Sequence, residues 1–239
     1  MAQISYPLYI IFGVLPSIIW LLFYLRKDVH PESNPMVLKI FFYGMLIALP
    51  AVVWEMGLFS QIEKFNLSPI WISILNTFLG AALIEEVLKY LVVKEKVLNS
   101  AEFDEPIDAV LYMIIAALGF AALENVLILF PLGPGLFIGK AISISALRFL
   151  GATFLHTLCS GLIGYFLALA IFEKKKAKKL IFTGLTISIF LHGLYNFAIM
   201  EVKGELKFSI TLAILIGLAV FLTCGFKKLQ KMKSICKIN

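Results

Sequence analysis

The feature that most constrains this chain is the recurrence of long stretches without a charged side chain. Tyr6 to Leu25 and Phe208 to Phe226 contain none over 20 and 19 residues, and Phe149 to Phe172 contains only His156. A helix of about 20 residues crosses the hydrocarbon core of a bilayer. With 61% hydrophobic residues, 15% charged residues and a mean hydropathy of +0.95, the composition excludes a secreted globular domain, a disordered chain and an outer-membrane barrel. We therefore expect a polytopic helical membrane protein.

Lipid offers no partner for backbone polar groups, so a helix is expected at every crossing. We predict an all-α fold with seven transmembrane helices in a single domain over residues 1–239, ending in a basic tail at 227–239. The apolar residues Leu136 to Ser145 follow a break rich in Pro and Gly, and we predict that they form a re-entrant or interfacial segment. The seven predicted helices are Tyr6 to Leu25, Met36 to Leu58, Pro69 to Val93, Pro106 to Pro131, Ala146 to Phe172, Leu180 to Met200 and Phe208 to Phe226.

The distribution of basic residues predicts the orientation, because short cytoplasmic loops carry an excess of Lys and Arg. With the N-terminus outside, 14 of the 21 Lys and Arg residues fall in the inner loops and the tail, and 4 fall in the outer loops. We therefore predict an N-out, C-in protein. The net charge of +6 is then mainly an orientation signal, so we expect the lipid bilayer as a partner and no nucleic acid.

Ionisable residues inside the predicted helices cost about 2.5 to 3.5 kcal/mol each near the bilayer centre, so each should be paired, hydrated or functional. Taken singly, such a residue has a structural role as often as a functional one: it forms a hydrogen bond between helices, or it lies near a helix end and extends its charged group to the membrane surface. We assign that structural role to Lys39 and Glu55. The other ionisable residues within or near the ends of the spans are Glu85, Glu86, Lys89, Asp108, Glu124, Arg148, His156 and His192.

The third predicted helix contains two adjacent glutamates and a lysine. Lys89 is four residues from Glu85 and three from Glu86, so its ammonium is within reach of either carboxylate. Adjacent residues diverge by about 100° around a helix, so one carboxylate can face a site while the other meets the lysine or a second helix. A buried carboxylate there suits general acid or base chemistry. A paired structural cluster would have the same sequence, and both interpretations stay open at this point.

Three further helices carry polar groups at helical spacing. Together with the third helix they supply what a hydrolytic site needs, which is a base for water, a second acid or base, and donors for an oxyanion. These groups are Glu124 and Asn125 on the fourth helix, Arg148, His156 and Ser160 on one stripe of the fifth, and His192 and Asn196 four residues apart on the sixth.

The depths of these residues test whether they can meet. Helix rise puts His192 about 18 Å and Glu85 about 13 Å from the inner face, so these two can approach each other. The same calculation puts Glu124 about 27 Å from the inner face, too far to meet the other two unless its helix is tilted or begins below the membrane surface.

The motifs resemble those of the PrsW family, in family order over residues 85–196. Residues 85–89 look like the family's Glu-Glu-x-x-Lys motif, and residues 120–125 resemble its Phe-x-x-x-Glu-Asn motif. Asp108 matches the aspartate that precedes the second motif. Arg148 with His156 and Gly164-Tyr165 resembles the third block of the family. The fourth block is resembled by His192-Gly193-Leu194-Tyr195-Asn196.

The resemblance implies an intramembrane protease in the clan that includes type II CAAX prenyl endopeptidases and bacteriocin-processing enzymes. Carried over, Glu85 is the base that activates water, and His192 and Asn196 hold the oxyanion. Glu124 stands where the prenyl-endopeptidase branch has a histidine, which argues against a prenylated substrate. The implied catalytic set is Glu85, Glu86, Glu124, His156, His192 and Asn196, supported by Lys89, Asn125, Arg148 and Asp108.

The resemblance also implies a single-span membrane protein as substrate, such as an anti-sigma factor at its first cut, and a location in a prokaryotic plasma membrane. Glu124, His156 and His192 are adequate ligands for Zn²⁺ with an open water position, and the family is often described as metalloproteases. The clan is also described as glutamate proteases that need no metal, which we favour.

Two other functions stay open at this stage. A catalytically silent scaffold would keep the polar residues to join its helices. A proton-coupled transporter would use them as a relay, but it predicts an inverted repeat with broken helices, and the sequence has no convincing repeat of that kind.

Overall fold

The structure, a computed structural model, describes residues 6–27, 30–132 and 137–232, and within these ranges the chain is almost entirely helical. Short 3₁₀ turns at Glu63–Phe65, Phe130–Leu132 and Lys174–Lys176 follow or precede the longer helices. The α-helices of the described chain are α1 (Tyr6–Leu25), α2 (Asn34–Ile62), α3 (Pro69–Leu75), α4 (Ile84–Lys96), α5 (Pro106–Leu129), α6 (Ile138–Leu150), α7 (Ala152–Phe172), α8 (Ala177–Glu201) and α9 (Glu205–Leu229).

Seven helical segments in the described ranges are long and apolar enough to cross a membrane, which confirms the predicted number and the all-α fold. Two of them are composite, because α3 and α4 form one segment of 28 residues and α6 and α7 form another of 35. The second helix is longer than predicted. It begins at Asn34, where the Ser33 hydroxyl accepts a hydrogen bond from the Met36 backbone N–H, and it continues through Ser60 and Gln61 to Ile62.

The fifth segment has a different boundary from the predicted one. The sequence placed the start of this helix at Ala146, whereas α6 runs from Ile138 to Leu150 and is separated from α7 by Gly151. Gly151 has φ −106° and ψ −95°, outside the helical region. The two helices therefore meet at a kink, which no proline in the sequence marks. Of the predicted re-entrant or interfacial segment, Leu136 lies outside the described residues, Phe137 is the N-cap of α6, and the remainder is the first part of α6.

A π-helix at Asn76–Leu83 joins α3 to α4 directly before the two glutamates. The Thr77 hydroxyl donates to the carbonyls of Ser73 and Ile74, at 2.8 and 3.2 Å, so it supports the backbone at the start of this stretch. Short π-helical stretches are often found at functional sites, because they change the direction in which the following side chains point. No signal in the sequence pattern predicted this one.

Helices α5 and α7 form the centre of the protein. Every residue from Pro106 to Ala122 is buried, as is most of α7. Gly164 permits the close contact between the two helices, because a Cβ there would lie 2.6 Å from the Ala109 carbonyl oxygen. The remaining helices surround this pair, and α4, α6 and α8 bring polar side chains towards it.

Candidate active site

Polar side chains from five helices meet beside the central pair α5 and α7. Glu86 and His192, which are in contact, are 106 positions apart in the chain. The site is thus assembled by helix packing rather than by one local motif. We call it the polar cluster and define it as Glu85, Glu86 and Lys89 on α4, Glu124 on α5, Arg148 on α6, His156 on α7 and His192 on α8.

Lys89 lies at the centre of the polar cluster with a side chain that is 0% exposed. Its Nζ donates to Glu85 Oε2 at 3.0 Å and to Glu86 Oε1 at 2.9 Å, and lies 2.8 Å from His156 Nδ1. These three contacts use all three protons of the ammonium. Because an ammonium has no lone pair, His156 Nδ1 accepts and His156 Nε2 carries the ring proton, which it donates to Glu124 Oε2 at 2.9 Å.

The adjacent glutamates have different surroundings. Glu86 is fully buried and accepts hydrogen bonds from Lys89, from the Ser160 hydroxyl at 3.1 Å and from His192 Nδ1 at 2.9 Å. Glu85 is 5% exposed and borders a cavity. Its Oε2 lies 3.5 Å from His156 Nδ1 and 4.0 Å from His192 Nε2. Lys89 contacts both carboxylates, but only Glu85 of the two faces the cavity.

His192 is oriented by Glu86. The Glu86 carboxylate has no proton to give, so the ring proton is on His192 Nδ1, and His192 Nε2 faces Glu85. The ring of His192 stands edge-on to that of His156, with centroids 5.0 Å apart. This fixes both imidazoles next to the cavity-facing carboxylate.

The cavity has a volume of about 590 Å³ and lies between α6, α7, α8 and the start of α9. Its size is in the range of sites that hold small ligands or peptide segments. One wall is polar and the rest is apolar, so it combines ionisable groups with surfaces for hydrophobic side chains. The polar wall is formed by Glu85, Glu124, Arg148, His156, His192 and Asn196, and the apolar walls include Leu147, Leu150, Leu155, Ile199, Met200 and Phe208.

Glu124 reaches the polar cluster although the depth estimate from the sequence disagreed. Arg148 Nη2 donates to its Oε2 at 2.7 Å, and the same oxygen accepts from His156. The estimate counted residues from the start of each helix as if all helices began at one level, which packed helices need not do. The contact removes the disagreement.

Asn125 joins helices and does not face the cavity. It is 1% exposed, its Nδ2 donates to the Gly13 carbonyl at 3.1 Å and to the Thr153 hydroxyl at 3.2 Å, and its Oδ1 accepts from Arg148 Nε. These bonds connect α1, α5, α6 and α7. The arrangement therefore positions the Arg148 guanidinium that holds Glu124.

The structure places Asp108 outside the polar cluster. Its Oδ2 accepts from the backbone N–H groups of Asp104 and Glu105, at 2.9 and 2.7 Å, at the first turn of α5. Sixteen residues separate it from Glu124, which is about 24 Å along a helix. Asn196, in contrast, lies on the cavity wall one turn beyond His192 and has no side-chain hydrogen bond within the described ranges.

The residues that could ligate a metal differ from the predicted set. In the described chain, donor atoms within 4.8 Å of one another come from Glu85, Glu86, His156 and His192. Glu124, which was predicted to join the two histidines, is not in this group, because its carboxylate is turned to Arg148 and to the far nitrogen of His156. Carboxylate and imidazole donors are suitable for Zn²⁺.

Lys89 decides how well a metal ion fits this set. Its ammonium already bonds three of the four candidate ligands, so a divalent cation there would lie a few ångströms from a buried positive charge. With Lys89 in this position, the four residues do not fit a divalent cation, although each is a ligand by type. The cation of the cluster is the lysine itself.

Three residues near the site were not assigned to it from the sequence. Tyr195 and Gly151 line the cavity, and the spacing of Tyr195 from His192, at i and i+3, was a usable signal for the tyrosine. Glu55, to which we gave a structural role, has a buried Oε1 without a hydrogen bond in the described chain and interacts electrostatically with Glu85 and Glu124. It therefore lies at the edge of the polar cluster.

Comparisons with known proteins agree with the resemblance seen in the motifs. Residues 32–224 match the model of a family described as PrsW family intramembrane metalloprotease. A protein named Protease PrsW from Geobacillus kaustophilus is 33% identical over 190 residues, which is 79% of this chain and 78% of that protein. Proteins of the same name from Bacillus subtilis and Clostridioides difficile are 30% and 25% identical over 226 and 224 residues, covering 93% and 92% of this chain and 94% and 89% of theirs. No solved structure matches this chain.

Proposed function

The chain belongs to the PrsW family of intramembrane proteases, and from this membership we propose that it cuts membrane-anchored proteins with a water molecule activated by Glu85. Family membership makes it a peptide-bond hydrolase of the membrane, and it speaks against the scaffold and transporter alternatives. The observation that carries the proposal is the position of Glu85, which faces the cavity while Lys89, His156 and His192 surround its carboxylate.

In the first step, Glu85 takes a proton from the attacking water. Glu85 Oε2 and His192 Nε2 are 4.0 Å apart beside the cavity, so one water molecule can contact both. The hydroxide that forms adds to the carbonyl carbon of the scissile peptide bond. Lys89 holds the Glu85 carboxylate in place before the substrate binds.

The oxygen of the tetrahedral intermediate needs hydrogen-bond donors. Asn196 offers its side-chain amide on the cavity wall, one turn from His192. His192 donates to the same oxygen from Nε2 only after that nitrogen has taken up a proton from solvent through the cavity, because its Nδ1–H is already bonded to Glu86. The proton that Glu85 took from water then passes to the leaving amine nitrogen as the C–N bond breaks, which restores the Glu85 carboxylate.

Glu124 and Arg148 orient the histidine on the other side. Arg148 fixes the Glu124 carboxylate, which accepts from His156 Nε2, so that His156 Nδ1 is held against Lys89. We propose that hydrolysis needs no metal ion, because the Lys89 ammonium takes the place of a cation among the candidate ligands.

The position of the cavity supports a cut near the outer end of a substrate's span. Its lining includes Met200, Lys207 and Phe208, on either side of the turn between α8 and α9. This turn is at the opposite end of α8 from the lysines at 174–179. With the predicted N-out orientation, the cavity opens towards the outer face of a prokaryotic plasma membrane. A single-span protein, such as the anti-sigma factor implied by the resemblance, would present its outer juxtamembrane residues there.

The proposal is tested with detergent-purified protein and a panel of single-span membrane peptides, with cleavage followed by mass spectrometry and metal content by elemental analysis. We expect cleavage that a chelator does not reduce, metal well below one ion per chain, and loss of cleavage in Glu85→Gln. Glu173→Gln, a surface carboxylate paired with Lys176, is the matched control and should cleave as the wild type does.

Each component of the proposal has its own contrary result. Undiminished cleavage by Glu85→Gln would remove Glu85 as the base. Stoichiometric zinc with chelator-reversible activity would show that Lys89 leaves its position to a metal. If the wild type binds the peptides but cleaves none of them, the result would favour the alternative of a catalytically silent scaffold.

A further inference from the structure

Tyr195 brings a third polar group of α8 to the cavity wall, between His192 and Asn196. Its side chain is only 7% exposed, yet it lines the cavity. Its hydroxyl makes no hydrogen bond to another residue of the described chain, in contrast to the buried hydroxyls of Ser160, Thr157 and Ser188, each of which has a partner. The proton of the Tyr195 hydroxyl is therefore available to a group that enters the cavity.

Gly151 makes room for this hydroxyl. A Cβ built on Gly151 would lie 2.6 Å from Tyr195 Oη and 2.8 Å from the Leu147 carbonyl oxygen. The hydroxyl thus rests against bare backbone at the kink between α6 and α7, where any other residue would displace it. The kink and the tyrosine form one feature of the cavity wall.

The charged groups nearby do not use the hydroxyl proton. Arg148 interacts electrostatically with Tyr195, but a guanidinium has no acceptor, and its hydrogen bonds within the described chain go to Asn125 and Glu124. Glu124 Oε2 already accepts from Arg148 and His156. The hydroxyl is therefore a donor without an acceptor at the edge of the polar cluster.

A cleaved transmembrane helix provides such an acceptor. Its peptide bond is open to attack only where the helix is unwound, and each unwound residue releases a main-chain carbonyl that lipid cannot satisfy. Tyr195 is three residues from His192, about 4.5 Å along α8, which lies between the rise of one residue and of two residues of an extended chain, at about 3.3 Å each. A carbonyl next to the scissile bond can therefore reach the tyrosine.

The geometry points to Tyr195 as a substrate-binding donor, whose hydroxyl bonds a main-chain carbonyl adjacent to the scissile bond and holds the unwound segment in register with Glu85. This role rests on the proposed proteolytic function. It differs from that of Asn196, because the bond forms to the bound substrate before the chemical step and not to the oxyanion. The tyrosine therefore contributes to KM and leaves kcat largely unaffected.

The experiment compares Tyr195→Phe with the wild type on a fluorophore-labelled single-span peptide, a leucine–alanine helix interrupted by Gly-Pro-Gly, reconstituted in vesicles at varied mole fraction. We expect KM to rise about 5- to 30-fold, the effect of one lost hydrogen bond, with kcat within about twofold. The melting temperature should not change, because the hydroxyl has no partner in the described chain. Tyr165→Phe is the matched control, since Tyr165 is similarly buried, at 8%, but does not line this cavity.

A double variant tests the link to Gly151. Once Gly151→Ala has displaced the hydroxyl, adding Tyr195→Phe should raise KM by less than about twofold, although the same change costs 5- to 30-fold in the wild type. Gly139→Ala is the control on the same helix, because a Cβ there meets nothing within 4 Å, and the effect of Tyr195→Phe should be undiminished beside it. An undiminished effect beside Gly151→Ala would overturn the coupling.

Binding measured without cleavage separates this inference from the proposed function. In the Glu85→Gln background, Tyr195→Phe should weaken binding of the same peptide by the same 5- to 30-fold, whether or not any variant cleaves it. Unchanged binding overturns the role of Tyr195 even if Glu85 proves to be the base. A fall in kcat at constant KM also overturns it, because the bond would then form only in the transition state.

Discussion

The two ends of α5 carry one acidic residue each and use it in opposite ways. At the first turn, Asp108 is bonded by backbone N–H groups of Asp104 and Glu105, and one turn later Tyr112 bonds Glu32. Towards the other end, Glu124 is bonded by the side chains of Arg148 and His156 at the border of a cavity. Both carboxylates stand in one of the most apolar helices of the chain.

The difference lies in the kind of partner. Asp108 completes a helix start: its backbone N–H partners have no proton to exchange, and its side-chain partner Glu32 does not line the cavity. A carboxylate bonded by ionisable side chains next to a cavity belongs to a network through which protons can move. The partners therefore separate a structural acid from a chemical one more reliably than the residue type does. Five substitutions test this comparison.

The largest effect is expected from Lys89→Met, which leaves Glu85 and Glu86 buried without their common cation. We expect the free energy of unfolding in detergent to fall by about 3 to 5 kcal/mol, because breaking a buried ion pair leaves an uncompensated charge. Lys39→Met on α2, where the lysine is exposed, is the control and should change it little. Equal effects of the two substitutions would mean that Lys89 does not balance the cluster.

Asn196→Ala should reduce kcat about 10²- to 10³-fold without a change in stability, because its amide lies on the cavity wall and is proposed to bond the oxyanion. Asn125→Ala should instead reduce stability: we expect the free energy of unfolding to fall by about 1 to 3 kcal/mol, because the buried hydrogen bonds of Asn125 are lost. Steady-state cleavage and thermal unfolding of both variants check the contrast. A stability loss in Asn196→Ala equal to that of Asn125→Ala would place both residues in the scaffold.

Glu86→Gln keeps the size of a buried side chain but removes the charge that orients His192. We expect cleavage to fall about 10- to 100-fold, the effect usual for a residue that orients a functional histidine. The loss should be smaller than that of Glu85→Gln when both are assayed on the same peptide. If Glu86→Gln were the more damaging of the two, the assignment of the cavity-facing glutamate as the base would be reversed.

Asp108→Ala should have the smallest effect. Loss of its two bonds to backbone N–H groups should lower the free energy of unfolding by about 0.5 to 2 kcal/mol, and the folded fraction should cleave at the wild-type rate. Cleavage normalised to folded protein checks this. A fully stable but inactive variant would place Asp108 with Glu124 in the chemistry and would end the distinction between the two ends of α5.

The number of spans was predictable because bilayer thickness sets the length of an apolar stretch. The kink at Gly151 and the π-helix at Asn76–Leu83 were not, because they come from packing between helices and leave no periodic signal. The boundary of the fifth helix was misplaced for the same reason.

Within the site, local spacing was informative and contacts between helices were not. The reach of Lys89 to both glutamates follows from i+3 and i+4 geometry, as does the shared face of His192 and Asn196. Two features of the site depend on the relative depth and rotation of neighbouring helices. One is which glutamate faces the cavity, and the other is the pairing of Glu124 with Arg148, away from the candidate metal ligands. A single sequence does not contain that information in its spacing.

The pairing of Lys89 within its own helix has a consequence for how the protein is made. A charge on a newly inserted helix costs about 2.5 to 3.5 kcal/mol, and the carboxylates that neutralise Lys89 enter the bilayer in the same segment. Arg148 pairs with Glu124 on α5, which precedes it in the chain. During synthesis from the N-terminus, the carboxylate that pairs with each of these two cations is thus made before the cation or in the same segment. Neither cation has to enter lipid unpaired until a later helix is synthesised.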